Sequence, residues 1–246
     1  MNLQLYFRSV CHLSDARFAS AAGAEFVGFP WYPSSGTGIS LADYLDILQW
    51  ISGPVPVLQI HAHDLGLFSS IHTASEMSAP PSKPLAGLDS NQTASQAQRI
   101  AHNPYSTMPS PVIPHALEVA LSGSQQNMPD IRPECPLLWK VDVRQQELPA
   151  LFRFELDYLV LDPADCLLNP SQQPKPADLP KNWLNLLRMY RCFLEIPFTT
   201  QNPMEWVETF NPYGVGLSGQ PELAVGKRDY SAWQDFTDLL EDSGLS

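Results

Sequence analysis

Cys11, His12 and Asp15 fall within five positions of one another in "SVCHLSDARFASAAGAEFVGF", residues 9–29. A thiol, an imidazole and a carboxylate are the parts of a nucleophile, its base and the group that orients the base. Their spacing breaks the set apart. "LQLYFRSVC", residues 3–11, alternates as a strand, and neighbours on a strand point to opposite faces. Cys11 and His12 therefore cannot pair with each other. The alternation predicts Leu5, Phe7, Ser9 and Cys11 on an inner face, with His12 turned aside. Asp15 follows Ser14, a candidate N-cap, and sits in a first helical turn where the dipole favours a carboxylate. What remains is one thiol at a strand end.

Two further groups draw notice. His61 and His63 lie two apart on a predicted strand, so they share a face as two ligands of a metal would. A third ligand is not obvious from spacing; Asp162 and Glu195 are the candidates. Asp162 follows "YLVL", and a carboxylate there belongs at a strand end, hydrogen-bonded or in a site. Pro163 stops that strand. Cys11 and Asp162 are then a base candidate and an acid candidate for moving protons on a small molecule.

The elements that must position these groups alternate along the chain. Strands are predicted over residues 3–11, 25–32, 55–62, 116–123, 136–143, 156–163, 191–198 and 213–219. Helices are predicted over 14–24, 40–52, 145–154, 181–190, 202–211 and 229–242, with two more at 65–74 and 93–103. In 40–52 the apolar residues recur at helical spacing, and Gly53-Pro54 ends the run. Gly23 is a candidate stop for the first helix. Eight strands, mostly each followed by a helix, point to an α/β fold, a single (β/α)8 barrel of about 250 residues. An open doubly wound sheet is the alternative, but no strand is followed by G-x-G-x-x-G. Residues 64–115, rich in Ser, Pro, Asn and Gln, read as a low-order insertion within one domain spanning 1–246.

Composition narrows the partners. The formal net charge is −12, which disfavours nucleic acid and anionic membrane surfaces. The four cysteines are widely spaced, as expected of reduced thiols in a cytoplasmic protein. The N-terminus does not read as a signal peptide, and no apolar run reaches the roughly 18 residues of a membrane span.

In a barrel of this kind chemistry lies at the C-terminal ends of the strands, and there the residues look familiar. "VCHLSDARFASAAGAEFVGFPWYPSSGTGIS" resembles the N-terminal segment of phosphoribosylanthranilate isomerases, which runs strand, Lys-x-Cys-Gly, helix, then "GF…YP" and a loop. "LDYLVLDP" resembles the strand-six segment ending in that family's catalytic aspartate, and "NPMEWVETFNPYGVGLSGQPELAVGKRDYSAWQDFTDLL" resembles its C-terminal segment. The family carries out the Amadori rearrangement of N-(5-phosphoribosyl)anthranilate in tryptophan biosynthesis. The resemblance implies Cys11 as general base and Asp162 as general acid, with no metal or organic cofactor. It implies a small phosphorylated or carboxylated metabolite as ligand and a monomer or homodimer.

Departures from the family pattern fall on the substrate grip. Ser9 stands for the lysine and His12 for the glycine. Thr37 or a neighbour in "SSGTG" stands for the loop arginine that grips the carboxylate. Ser122-Gly123 replaces a His-Gly, and Pro197-Phe198 replaces the Gly-Gly whose amides hold phosphate. Ser218 and Gly219, in "GLSG", keep part of a second phosphate loop. Lys140, with Lys227 and Arg228, is the basic residue near a strand end that could compensate. The reading is an isomerase-like barrel, diverged in its ligand site. The alternative is a non-catalytic barrel that binds a small molecule or another protein.

Overall fold

Short apolar segments pair side by side in register and in parallel until the last meets the first. The structure, a computed structural model, describes residues 3–65, 116–121, 135–141, 157–163, 175–179, 182–196, 203–218, 222–224 and 227–245. The barrel strands are β1 (Gln4–Arg8), β2 (Phe26–Tyr32), β3 (Val55–His61), β4 (Ala116–Leu121), β5 (Leu137–Val141), β6 (Tyr158–Leu161), β7 (Cys192–Glu195) and β8 (Gly214–Ser218). Each pairs in parallel with the next, and β1 pairs with both β2 and β8, so the sheet closes. Helix α1 (Leu13–Ala21) joins β1 to β2, and α2 (Leu41–Leu48) precedes β3. Helix α3 (Asn182–Met189) precedes β7, α4 (Pro203–Phe210) precedes β8, and α5 (Ser231–Asp242) follows it. Parallel strands with helices between them are the expected (β/α)8 barrel. Among the described residues no helix is long and apolar enough to cross a membrane.

Two additions decorate the frame. Thr37–Gly38 folds back antiparallel on Trp31 and Tyr32 at the end of β2. Glu222–Ala224 pairs antiparallel with Lys227–Arg228. The helices predicted over 93–103 and 145–154, and the segment 64–115 beyond Leu65, lie outside the described residues.

Alternation along the strands sorts side chains to two sides. One interior layer is Tyr6, Phe26, Val57, Ala116, Leu138, Val160 and Phe193, all buried. Its rings meet edge to face, Tyr6 to Phe193 at 5.5 Å and Phe26 to Phe193 at 5.6 Å. On the outer side Phe7 packs on Phe18 of α1 and on Trp233 of α5, and Phe29 packs on Tyr44 of α2. Gly28 is required where it stands: a Cβ there would lie 2.6 Å from the Tyr6 hydroxyl oxygen.

The first strand corrects the expected facing. Tyr6 is inside, while Phe7 packs on the helices; Leu5, Phe7, Ser9 and Cys11 do not line the interior as a set. The strand ends at Arg8, and Ser9 takes a left-handed conformation with φ +56°. Parity counted through that break is lost. The cap of α1 is corrected too, since His12 rather than Ser14 holds the N-cap place and its side chain makes no cap hydrogen bond. Asp15 lies in the first turn as expected, and it also accepts a 2.7 Å bond from the Tyr230 hydroxyl. Gly23 ends the helix region with φ +72°. Ser40 caps α2 through the amide of Asp43 at 3.1 Å.

Candidate functional site

Two residues beyond every member of the apolar layer but Phe26, which Gly28 follows at that spacing, the interior turns polar. Tyr6 is followed by Arg8, Val57 by Gln59, Ala116 by Glu118, Leu138 by Lys140, Val160 by Asp162 and Phe193 by Glu195. Six strands therefore bring six polar side chains to one level near their C-terminal ends, where barrels of this class keep their chemistry. Arg8, Gln59, Glu118 and Glu195 are all buried.

Glu118 is the hub. Its Oε2 accepts the Tyr6 hydroxyl at 2.7 Å and Arg8 Nε at 3.1 Å. Its Oε1 accepts Gln59 Nε2 at 3.1 Å and Arg8 Nη2. Arg8 Nη1 reaches across to Glu195 Oε2. One guanidinium thus forks to carboxylates of β4 and β7, the planar recognition for which arginine is suited. Gln59 Oε1 accepts the amide of Ser9 at 3.0 Å, which fixes the turn that ends β1. Lys140 Nζ donates to Asp162 Oδ2 at 2.9 Å and lies 3.7 Å from Glu195 Oε2.

These charges set one another's proton affinity. Burial would raise Glu118, but Arg8 beside it and the bonds from Arg8 and Tyr6 hold it below the usual carboxylate range. Burial works against the Lys140 ammonium, yet Glu195 and Asp162 keep its pKa raised. Glu195 goes the other way: burial, reinforced by Asp162 and Glu118, pushes it up to about 7 against the pull of Arg8 and Lys140. A carboxyl held there can exchange a proton near neutral pH.

Above the cluster stands an aromatic stack. The rings of Tyr32 and His61 are parallel at 4.2 Å, and His61 and His63 stack at 5.2 Å. Burial raises the Tyr32 phenol, which also feels the charges of Glu118, Arg8 and Lys140. Burial, then His63, lowers His61. His63 Nε2 is 2.7 Å from Ser34 Oγ. Stacked face to face, the two imidazoles do not converge on a point. Among the described residues no three His, Cys, Asp or Glu side chains could hold a metal.

The residues singled out from the sequence fall in different places. Lys140 and Asp162 are brought together, and Glu195 joins them. Cys11 lies three residues past the end of β1, its Sγ 3.7 Å from Ser9 O. It lines an open groove of about 420 Å³ with His12, Leu13, Asp43, Asp46, Ile47 and Trp50, where α1 and α2 begin and end. Thr37 is exposed and bonds Ser35 Oγ at 2.6 Å. Ser218 ends β8, and its carbonyl accepts Trp233 Nε1 at 3.2 Å. Gly219, Ser122-Gly123 and Pro197-Phe198 lie outside the described residues, as do the side chains of Lys227 and Arg228. Arg8, Gln59 and Glu118 were missed by the sequence reading. Their signal was present: a lone carboxylate inside "ALEVAL" demands a buried cation, and Arg8 is the residue in phase with Tyr6.

The fold is similar to that of solved phosphoribosylanthranilate isomerases. The one from Thermotoga maritima is 17% identical, with 99% of this chain and 100% of that chain covered and a TM-score of 0.57. The one from Thermus thermophilus is 15% identical over 98% and 99%, with a TM-score of 0.55. A phosphoribosyl anthranilate isomerase in complex with reduced 1-(O-carboxyphenylamino)-1-deoxyribulose 5-phosphate is 17% identical over 96% and 97%, with a TM-score of 0.58. At these identities the likeness is one of fold. No protein-family model matches the sequence. No curated protein matches it either.

Proposed function

We propose that this chain is a phosphoribosylanthranilate isomerase-like barrel whose mouth has diverged to bind a different small polar metabolite, and that it does not perform the Amadori rearrangement. Arg8 carries this reading. The resemblance implies Lys-x-Cys-Gly at the end of the first strand, an inward pair two residues apart and then a glycine. The inward pair of β1, followed by a residue with positive φ, is Tyr6-Phe7-Arg8-Ser9. By that geometry Arg8 answers to the cysteine and Ser9 to the glycine. A guanidinium cannot take a proton from a sugar carbon, and this one is held by two carboxylates.

Asp162 keeps the place of the acid, but it is paired with Lys140. Among the described residues both cations of the cluster are matched by carboxylates, which leaves them little to draw a phosphate or an anthranilate carboxylate. What remains useful is Glu195, an acid–base group in a barrel mouth beside the Lys140 ammonium. The chain is to be expressed in a tryptophan auxotroph that lacks the isomerase. Folded protein without rescue is the expected result. Growth that disappears with Asp162→Asn would overturn the reading.

A further inference from the structure

The charged layer holds three carboxylates, Glu118, Asp162 and Glu195, against two cations, Arg8 and Lys140, among the described residues. Among the described residues the carboxylates outnumber the cations by one. The shortfall lands on one atom. Glu195 is 8% exposed, and both cations approach its Oε2. Among the described residues nothing donates to its Oε1. Glu118 differs, because four donors satisfy both its oxygens.

We propose that the mouth takes a ligand bearing a protonated amine, whose ammonium completes the cluster at Glu195 Oε1 while its flat or apolar body lies against the Tyr32–His61 stack. This rests on the reading of a diverged mouth and names the ligand class for it. Three observations agree. Glu195 Oε1 is open to solvent rather than sealed, so a ligand can reach it, and an ammonium supplies both a bond and a charge there. Tyr32 offers a ring face next to the charged layer, the surface an organic cation prefers over an inorganic one. A net charge of −12 attracts cations from a distance and repels anions. A divalent metal is disfavoured, since no three ligating side chains converge among the described residues.

Binding carries a proton signature. Glu195 faces Arg8, Lys140, Asp162 and Glu118, and burial leaves it partly protonated near neutral pH. An ammonium needs the carboxylate, so docking expels the proton. With ionisation centred at about 7, apparent affinity falls about tenfold from pH 8 to pH 6. A carboxylate of ordinary pKa would show almost no change over that range.

The test is thermal denaturation of the full chain with benzylammonium, benzyl alcohol or benzoate, at pH 6 and pH 8 and constant ionic strength. Benzylammonium is expected to raise Tm in a saturable way, with the tenfold pH dependence; the alcohol and benzoate are not. Glu195→Gln is expected to abolish the shift. Tyr32→Leu, which leaves every charge in place, is expected to weaken it and serves if the first variant does not fold. A shift from benzyl alcohol as large as that from benzylammonium would overturn the proposal. So would an equal shift from magnesium chloride, an amine response equal at both pH values, or one that survives Glu195→Gln. A fourth arm uses reduced 1-(O-carboxyphenylamino)-1-deoxyribulose 5-phosphate. Stabilisation by that anion would overturn the diverged mouth itself. No stabilisation by any probe would remove the amine ligand and leave the diverged mouth standing.

Discussion

Arg8 is where a single side chain decides the character of the barrel mouth. It reaches carboxylates on β4 and β7 from β1, so it ties three strands together through the interior. Removing it strands two buried carboxylates. Arg8→Met is expected to lower unfolding free energy by about 3–5 kcal/mol in urea denaturation. Adding Glu118→Gln and Glu195→Gln should return part of that loss, because the buried charges go with their partner. Glu195 has the opposite sign. Its folded-state pKa is raised, so between the ordinary carboxyl range and about 7 the folded chain holds a proton that the unfolded chain has lost. The group's contribution is therefore fully present at low pH and is lost as pH rises through that window. Glu195→Gln should gain stability relative to the parent from pH 5 to pH 8, by on the order of 1 kcal/mol per pH unit at the steepest point. Parallel melting curves of the two proteins across pH check this. A gap that narrows with rising pH would refute the raised pKa.

Strands and turns explain which parts of this were legible in the sequence. The order of strands and helices follows from period-two and helical spacing, and so does the closed barrel they make. Gly23 marks a stop that the backbone uses, with φ +72°, whereas the second helix ends at Leu48 with Gln49 as its cap, before Gly53-Pro54. The ends of the first strand were not legible. Ser9 breaks the alternation with a positive φ that serine rarely adopts, held by the Gln59 carbonyl on its amide, a contact 50 positions away. Alternation counted through that break puts Cys11 inward and turns Arg8 outward, the reverse of the observed facing. Lys140, Asp162 and Glu195 were legible because a charged residue closing an apolar strand has few places to go. Their joining to Arg8 and Glu118 was not, since it depends on opposite walls of the barrel meeting. Gly28 shows the same dependence on register. Gly28→Ala would set a Cβ against the Tyr6 hydroxyl and Gln59, which has no room to yield without losing its bonds to Glu118 and Ser9. A loss of about 1–3 kcal/mol in unfolding free energy is expected. An unchanged midpoint would mean that the interior layer is looser than its contacts imply.

Across the whole molecule, an eight-stranded barrel similar in fold to solved phosphoribosylanthranilate isomerases carries a charged interior layer at its mouth. Asp162 follows β6 and pairs with Lys140, and the inward end of β1 carries a guanidinium paired with two carboxylates. The acidic surface adds a long-range bias against dianionic ligands. The most direct measurement is turnover of N-(5-phosphoribosyl)anthranilate by the purified full-length chain, with Cys11→Ala and Asp162→Asn run alongside. The account gives the parent protein no rate above that of buffer, and the same for both variants. A parent rate above buffer that falls with either substitution would contradict it.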